Sequence, residues 1–388
     1  MSNFDEIIDR HGTDALKTDA LAERYGDANL TPLWVADMDF ATPPFIIDAL
    51  RRRLEHPVLG YTVEPADYRP AIIDWLRMLH GVEVRPEWLC FIPGIVKGIG
   101  LAAECFTRPG DKIIIQPPVY HPFRLVPEAL KRRVVYNQLI ESPSGHYSMN
   151  LDELDRLAAD GAKMLIMSSP HNPAGIVWDR PTLAKVAEIA CRHNMLVISD
   201  EIHSEMILEG THTPFWAVSD EAARCSITFA APTKTFNMAG VVSSYAIVPA
   251  PELRNKFFGF LSSMELDEPT MFAPIATIAA YRHGNPWRLE MLEYIKGNIE
   301  AVSDYIAQNM PQIKVIKPQA SFLVWLDCRG LGLSHDRLNH LFIRRARLAL
   351  NDGEMFGPGG EGFMRLNIGA PRSVIIAALA QLKKAIDN

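Results

Sequence analysis

Cysteine is scarce in this chain and follows no recognisable pattern. The five cysteines, Cys90, Cys105, Cys191, Cys225 and Cys328, are odd in number and widely separated, and none belongs to a CxxC pair. Disulfide frameworks and structural zinc sites both need regular cysteine spacings. We therefore expect the cysteines to fill the core, and we predict no metal site.

The chain also lacks a long block of basic residues and a long apolar run. Its formal net charge is −7, which disfavours nucleic acid or an anionic membrane surface as the main partner. No apolar run reaches the roughly 18 residues that a spanning helix needs, and residues 1–6 show neither a basic n-region nor an apolar h-region. We expect a cytoplasmic protein with a small-molecule ligand, no nucleic acid and no membrane.

The chain does contain enough apolar sequence for a large core. Of its 388 residues, 48% are hydrophobic, and single cores stop growing near roughly 250 to 300 residues, so two domains are expected. From about residue 90 to 250, short β-branched apolar runs alternate with helical patterns, which favours a mostly parallel sheet covered by helices. The predicted strands are Lys112–Gln116, Arg133–Leu139, Lys163–Met167, Met195–Ser199, Cys225–Phe229 and Val241–Val248.

The pattern changes in the last third of the chain. Asn285-Pro286 is typical of a helix start, and apolar residues then recur at steps of three and four until Pro311, which predicts one long helix linking two domains. Strands at 313–316, 321–326 and 363–368 and a helix around 338–350 predict an α+β lobe. The expected division is residues 1–44, packing with the small domain; 45–284, the large domain; and 285–388, the small domain.

Four polar residues follow predicted strands at the point where each strand ends. They are Tyr120, Asn172, Asp200 and Lys234. In open α/β sheets, ligands bind outside the carboxyl ends of the strands, so these side chains are expected to converge on one cleft.

These residue types match what pyridoxal 5'-phosphate (PLP) requires of a protein. The cofactor needs a lysine amine that forms an imine, a carboxylate that faces the pyridinium nitrogen and an amide that donates to the ring oxygen. Lys234, Asp200 and Asn172 can supply these groups, and Tyr120 can stack on the pyridine face. Partial burial beside a cationic ring would lower the pKa of Lys234 and let its amine act as a base.

A glycine-containing run precedes a predicted helix. The run Pro93-Gly94-Ile95-Val96-Lys97-Gly98 can offer backbone N–H groups to a phosphate. Its GxxxGxG spacing and the lack of a Walker lysine pattern disfavour dinucleotide and P-loop binding. A simple helix cap is the alternative for this run, as ordinary packing is for Tyr120. His203 is expected to contact Asp200 or the cofactor, with a structural histidine as the alternative.

Longer motifs carry a resemblance to a known family. They are residues 32–40, 60–62, 170–178, 200–203, 234–237 and 365–367. On these motifs the chain resembles, over nearly its whole length, fold-type I PLP enzymes of the class I/II aminotransferase superfamily. Within it, the chain is similar to the MalY/PatB-type cystathionine β-lyases, or C-S lyases. The resemblance implies an α/β fold, with a large domain built on a mostly parallel seven-stranded sheet sandwiched by helices and a smaller α+β domain.

The resemblance also implies roles for single residues. Lys234 would form the imine, Asp200 would face the pyridine nitrogen and Tyr120 the ring face. The remaining implied contacts are Asn172 at the ring hydroxyl oxygen, His203 near the cofactor, Gly94, Ile95, Val96 and Thr233 around the phosphate, Arg365 on the substrate carboxylate, and Ala36, Asn172 and Tyr61 beside the substrate. Tyr61 would reach the phosphate in the neighbouring subunit's site, which implies a homodimer.

Three positions depart from related patterns. Many members of the superfamily carry a serine three residues before the lysine and an arginine eight residues after it, both on the phosphate, whereas this chain has Ala231 and Val242. His121 stands where some C-S lyases have a second tyrosine. We therefore expect that the phosphate is bound by a different set of contacts than in those relatives, and we leave the substrate preference open.

The resemblance implies α,β-elimination from cystathionine or a related S-substituted cysteine, giving pyruvate, ammonia and a thiol. Two alternatives stay open at this point. An aminotransferase would use the same residues to move the amino group to a 2-oxo acid, and a PLP-bound regulatory protein would turn over no amino acid. The subfamily resemblance favours the lyase, and the intact Lys234 and Arg365 disfavour a protein without turnover.

Overall fold

The computed structural model describes residues 2–388. Its strands are β1 Thr31–Pro32, β2 Leu89–Ile92, β3 Lys112–Ile115, β4 Arg133–Tyr136, β5 Ile140–Glu141, β6 Tyr147–Ser148, β7 Met164–Ser168, β8 Leu196–Asp200, β9 Ser226–Ala230, β10 Ser244–Ile247, β11 Lys314–Ile316, β12 Leu323–Asp327, β13 Leu348–Ala349, β14 Asn351–Asp352 and β15 Phe363–Asn367. Its helices are α1 Leu16–Asp19, α2 Leu21–Tyr25, α3 Pro44–Leu54, α4 Tyr68–His80, α5 Ile95–Phe106, α6 Pro122–Ala129, α7 Leu151–Ala159, α8 Arg180–Arg192, α9 Asp220–Cys225, α10 Pro251–Ser263, α11 Phe272–His283, α12 Asn285–Asn309, α13 His335–His340 and α14 Arg372–Asp387.

The largest sheet has seven strands in the order β2-β10-β9-β8-β7-β3-β4. Strands β9, β8, β7, β3 and β4 pair in parallel, and β10 runs antiparallel to both of its neighbours. The predicted mostly parallel, seven-stranded sheet is confirmed. Its parallel strands share one carboxyl edge, where a ligand cleft is expected.

Helices cover both faces of this sheet, because successive strand residues point to opposite sides. On one face, Ile114 and Leu165 belong to a core that includes the buried sides of α7 and α8. On the other face, Ile113 and Ile166 belong to a core with α5 and α10. Burial on both faces explains why these strands appear in the sequence as nearly continuous apolar runs.

Local side chains account for the starts of several helices. The Asp179 carboxylate accepts a hydrogen bond from the Thr182 N–H at 2.7 Å and caps α8, which has Pro181 in its first turn.

The long helix predicted after Asn285 is confirmed as α12, with 25 residues. Within residues 2–388, no helix combines the length and the hydropathy needed to cross a membrane.

A second sheet lies in the C-terminal part of the chain. Its order is β11-β12-β15-β14, with every pair antiparallel. The N-terminal segment reaches this part of the chain, because β1 pairs in parallel with β13 and places Thr31 opposite Leu348. The proposed domain boundaries at residues 44 and 284 stay a prediction.

Three sequence predictions differ from the structure. The helix predicted around 338–350 is wrong in its second half, since α13 continues only as a π turn to Arg345 and Leu348–Ala349 is a strand. Arg347 has a positive φ of 61°, which stops the helix, and β1 then takes up the backbone groups of β13. The strand predicted from 241 begins only at Ser244, because Val242 adopts the left-handed conformation. Six of the seven strands of the large sheet were located in the sequence, and the strand that was missed is β2.

Candidate active site

A cavity of about 290 Å³ lies at the carboxyl edge of the seven-stranded sheet. Its walls come from the segments that follow β2, β3, β7, β8 and β9, so residues distant in sequence meet there. Ten of the predicted site residues line it: Ala36, Gly94, Ile95, Val96, Tyr120, Asn172, Asp200, His203, Thr233 and Lys234.

Lys234 follows β9 and places its amine inside the cavity. The Nζ atom donates a hydrogen bond to the Ala36 carbonyl oxygen. Burial lowers the pKa of the Lys234 amine to about 8, although the nearby Asp37 carboxylate acts in the opposite direction. A sizeable fraction of the amine is therefore neutral just below pH 8, as a nucleophile or a general base requires.

Asp200 is the last residue of β8 and is buried. Its Oδ1 accepts a hydrogen bond from the Ile202 N–H at 3.1 Å. Burial raises the pKa of the Asp200 carboxyl to about 7, while that hydrogen bond and Lys234 oppose the rise. Because burial disfavours the charged carboxylate, a cationic group bound beside it in the cavity would stabilise it.

His203 lies on the same side of the cavity as Asp200. It is buried, its ring meets Phe322 edge to face, and its Nδ1 has no hydrogen-bond partner within residues 2–388. Burial lowers the pKa of His203 to about 3, so the imidazole is neutral at physiological pH. A neutral imidazole can donate to a polar atom from one nitrogen and accept a hydrogen bond at the other.

The N-terminus of α5 forms another wall of the cavity. Gly94 has a φ of 109°, which suits glycine, and a Cβ atom there would lie 3.8 Å from the Val242 side chain. The N–H groups of the first turn have no partner within the helix, so Ile95 and Val96 can donate to an anion. Thr233 is buried and lines the same cavity.

Arg365, on β15, lies just beyond the cavity lining. Its guanidinium donates to Asn172 Oδ1 at 2.9 Å, to the Trp34 carbonyl at 3.1 Å and to Asn351 Oδ1. It is buried, and burial lowers its pKa to about 10. The salt bridges within residues 2–388 do not include Arg365, and its Nε is without a partner there. The structure therefore holds a buried cation without a carboxylate.

Tyr120 and Asn172 are joined through the backbone. The Tyr120 N–H donates to the Asn172 carbonyl at 3.1 Å, which ties the segment after β3 to the segment after β7. The Tyr120 ring packs edge to face against Phe123 and His121. Its pKa is raised by burial, so the phenol stays protonated at neutral pH.

Ala36 lines the cavity and belongs to the segment 34–40, which is held by contacts on both sides. Asn237, three residues after Lys234, accepts from the Met38 N–H at 3.0 Å and donates to the Met38 carbonyl at 2.9 Å. On the far side, Lys17 is fully buried and its amine lies 2.8 Å from Asp39. The resemblance included this segment among its motifs. Its contacts with Asn237 and Lys17 join positions far apart in the chain, and no local sequence pattern indicates them.

Tyr61 is not part of the cavity in a single chain. It lies in the irregular segment between α3 and α4 and is fully exposed. Val58, Leu59 and Val63 in the same segment are also exposed.

Sequence reasoning did not assign several residues that line the cavity. They include Lys97, Ser168, Ile202 and Ser244, together with Val242, which was noted only as a departure. Lys97 had a usable signal, since it is a cation in the first turn of a helix that follows Gly94. Ser168 and Ser244 had none, because each is a small polar residue at a strand end.

Comparisons with known proteins fit this geometry. The model of the family "Aminotransferase class I and II" matches residues 28–382. The chain belongs to this family. It is 39% identical to cystathionine beta-lyase PatB of Bacillus subtilis over 386 residues, covering 99% of this chain and 100% of PatB. The predicted resemblance and the α/β, fold-type I prediction are confirmed.

Two solved structures of similar proteins extend the comparison. Cystalysin from Treponema denticola, whose structure contains a pyridoxal 5'-phosphate cofactor, matches with a TM-score of 0.96 and 32% identity, covering 100% of this chain and 99% of cystalysin. The PLP-bound C-S lyase from Staphylococcus hominis matches with a TM-score of 0.92 and 30% identity, again covering 100% and 99%. This aminotransferase-family chain thus covers at least 99% of each of the three relatives named here.

Proposed function

We propose that this protein is a PLP-dependent C-S β-lyase that cleaves cystathionine or a related S-substituted cysteine to pyruvate, ammonia and a thiol. The observation that carries the proposal is the cavity itself. It combines the Lys234 amine, whose pKa is lowered to about 8, with the buried Asp200 carboxylate. The chain is also 39% identical to a cystathionine beta-lyase.

The residues present fit the cofactor. Asp200 is a buried carboxylate that needs a cation, which a pyridinium nitrogen supplies. His203 offers an unpartnered Nδ1, and the amide NH2 of Asn172 can donate to a ring oxygen while its Oδ1 is taken by Arg365. At another wall, the first turn of α5 offers N–H groups to a phosphate.

Each residue then has a definite task. Lys234 would hold the cofactor covalently, Asp200 would face the ring nitrogen, and Tyr120 would cover the ring face. Gly94, Ile95, Val96 and Thr233 would hold the phosphate. When bound, PLP supplies an aldehyde that condenses with amines and a ring that accepts the electron pair released at Cα.

The chain's own residues would carry the proton transfers of elimination. Released by the incoming amino group, the Lys234 amine would take the proton from Cα, and the thiolate would then leave from Cβ. Arg365 would hold the α-carboxylate. The aminoacrylate left after the thiolate departs would be released, and water would hydrolyse it to pyruvate and ammonia. Ala36, whose carbonyl already accepts from Lys234, would lie beside the substrate.

Turnover of cystathionine tests this function. Purified protein with PLP is expected to form pyruvate, ammonia and free thiol in equal amounts without any added 2-oxo acid. Amino transfer that depends on an added 2-oxo acid, without pyruvate release, would identify an aminotransferase instead. A protein that binds PLP but turns over no amino acid would fit a regulatory role.

Arg365→Lys is expected to lower kcat/KM about 100-fold, mainly by raising KM. A lysine keeps the charge but loses the two parallel donors that match a carboxylate. Steady-state kinetics with cystathionine measure the effect. Arg329→Lys is the matched control, because Arg329 pairs with Asp327 and Glu141 away from the cavity. An unchanged KM in Arg365→Lys would contradict the assignment.

We further propose a homodimer in which Tyr61 of each chain completes the other chain's site. Its support is the exposed apolar segment around Tyr61, since exposed apolar patches of this kind mark contact surfaces. Light scattering is expected to give twice the chain mass. Tyr61→Ala is expected to weaken PLP binding several-fold without dissociating the dimer. A monomer, or a Tyr61→Ala protein with unchanged PLP affinity, would contradict this arrangement.

The proposed compartment is the cytoplasm. Within residues 2–388 all five cysteines are free thiols, as is usual in a reducing compartment. The proposed cofactor and an amino-acid substrate are compatible with that location.

A further inference from the structure

Lys97 is a charged residue of the cavity that has no task in the proposed reaction. It lies in the first turn of α5 and lines the cavity together with Gly94 and Lys234. Helical side chains lean toward the helix N-terminus, so a long side chain from this turn extends back toward Gly94. The salt bridges within residues 2–388 do not include Lys97, so no carboxylate there neutralises its ammonium group.

The charged residues that line the cavity leave Lys97 as a candidate partner for the phosphate of PLP. The charged residues of the lining are Lys97, Asp200 and Lys234. In the proposed function, Asp200 faces the ring nitrogen and the Lys234 amine is used for covalent attachment. At the α5 end, the helix contributes only about half a positive charge against a phosphate that carries nearly two negative charges. Lys97 is the remaining cation.

Val242 shows why another cation is needed at this position. It lines the cavity beside Gly94, where many relatives in the superfamily carry an arginine, and it is uncharged. It also adopts φ 54° and ψ 62°, an unusual conformation for a β-branched residue. An arginine would tolerate this backbone better than valine does and would bring charge toward the first turn of α5.

We propose that Lys97 is the cation that binds the phosphate group of PLP in this protein, in place of the arginine that Val242 replaces. The inference rests on the proposed function, because it assumes that PLP occupies the cavity. Lys97 lines the cavity and is exposed to solvent, so its contribution is expected to depend on salt.

Titration of cofactor-free protein tests the inference without measuring activity. PLP and pyridoxal, which lacks the phosphate, are titrated into wild type, Lys97→Gln, Lys97→Arg and Lys296→Gln at low and high salt. Lys97→Gln is expected to weaken PLP affinity about three- to tenfold at low salt, and less at high salt. Its pyridoxal affinity is expected to be unchanged. Lys97→Arg keeps the charge and is expected to bind PLP like wild type.

Lys296 is the matched control, because it is an exposed helical lysine on α12 that does not line the cavity. Adding Val242→Arg to Lys97→Gln is expected to recover PLP affinity. Wild-type PLP affinity in Lys97→Gln at low salt, an equal loss for pyridoxal, or no recovery in the double variant would each overturn the inference. Failure of the cofactor assignment is distinguishable, since wild type itself would then bind no PLP. Failure of the lyase activity is distinguishable too, since wild type would then bind PLP but release no pyruvate from cystathionine.

Discussion

Replacing Lys234 by alanine is expected to abolish C-S lyase activity and the visible absorption of the bound cofactor. On the proposed assignment the variant would lose both the covalent attachment point and the base that removes the Cα proton, so kcat should fall by on the order of 10⁴-fold or more. Pyruvate release from cystathionine and the absorption spectrum of the purified protein measure the two effects.

The spectrum and the kinetics of Lys234→Ala must change together. Lys296→Ala, on the exposed side of α12, is the control and is expected to keep both. Loss of turnover with an unchanged visible band would mean that another amine holds the cofactor. Retained wild-type turnover would contradict the assignment of Lys234.

Asp200→Asn is expected to lower kcat by about 100-fold while the protein still binds PLP. The amide oxygen can still accept the Ile202 N–H, so the local backbone is preserved. The negative charge is lost, however, and a neighbouring carboxylate shifts a cation's pKa by about 1 to 3 units in favour of its protonated form. Without it, in the proposed arrangement, the ring nitrogen would lose its proton and the ring would accept electrons poorly.

The readout for Asp200→Asn separates chemistry from binding. PLP affinity, measured by titration, is expected to fall much less than kcat, because Lys234 would still hold the cofactor. Single-turnover kinetics should place the loss in removal of the Cα proton. A kcat equal to that of wild type would contradict a role for Asp200 at the ring nitrogen.

The sheet and most of the cavity could be predicted from the sequence because their signals are local. Asp200 and Lys234 each follow a short apolar strand, and parallel strands that share an edge bring such residues together. The proline and glycine residues that flank Asn172 add a further local signal. These patterns depend on a few neighbouring residues, which a single sequence displays directly.

The remaining features depend on contacts between distant parts of the chain. Leu348 follows a helix-like pattern, yet it forms a strand because β1 lies beside it. The left-handed backbone of Val242 shortens β10, and nothing in a valine indicates that conformation. Arg365 was predicted as a carboxylate clamp from the resemblance, but its contact with Asn172 becomes visible only when β15 is packed against the cavity.

Mapping the lysine that carries the cofactor tests the central claim most directly. Protein incubated with PLP is reduced with borohydride, which fixes the cofactor on the amine that holds it, and is then digested and sequenced by mass spectrometry. The cavity geometry predicts a single modified position, Lys234. The Lys234→Ala variant, treated in the same way, is expected to carry no label. Stoichiometric labelling of a different lysine, or no labelling at saturating PLP, would contradict the account.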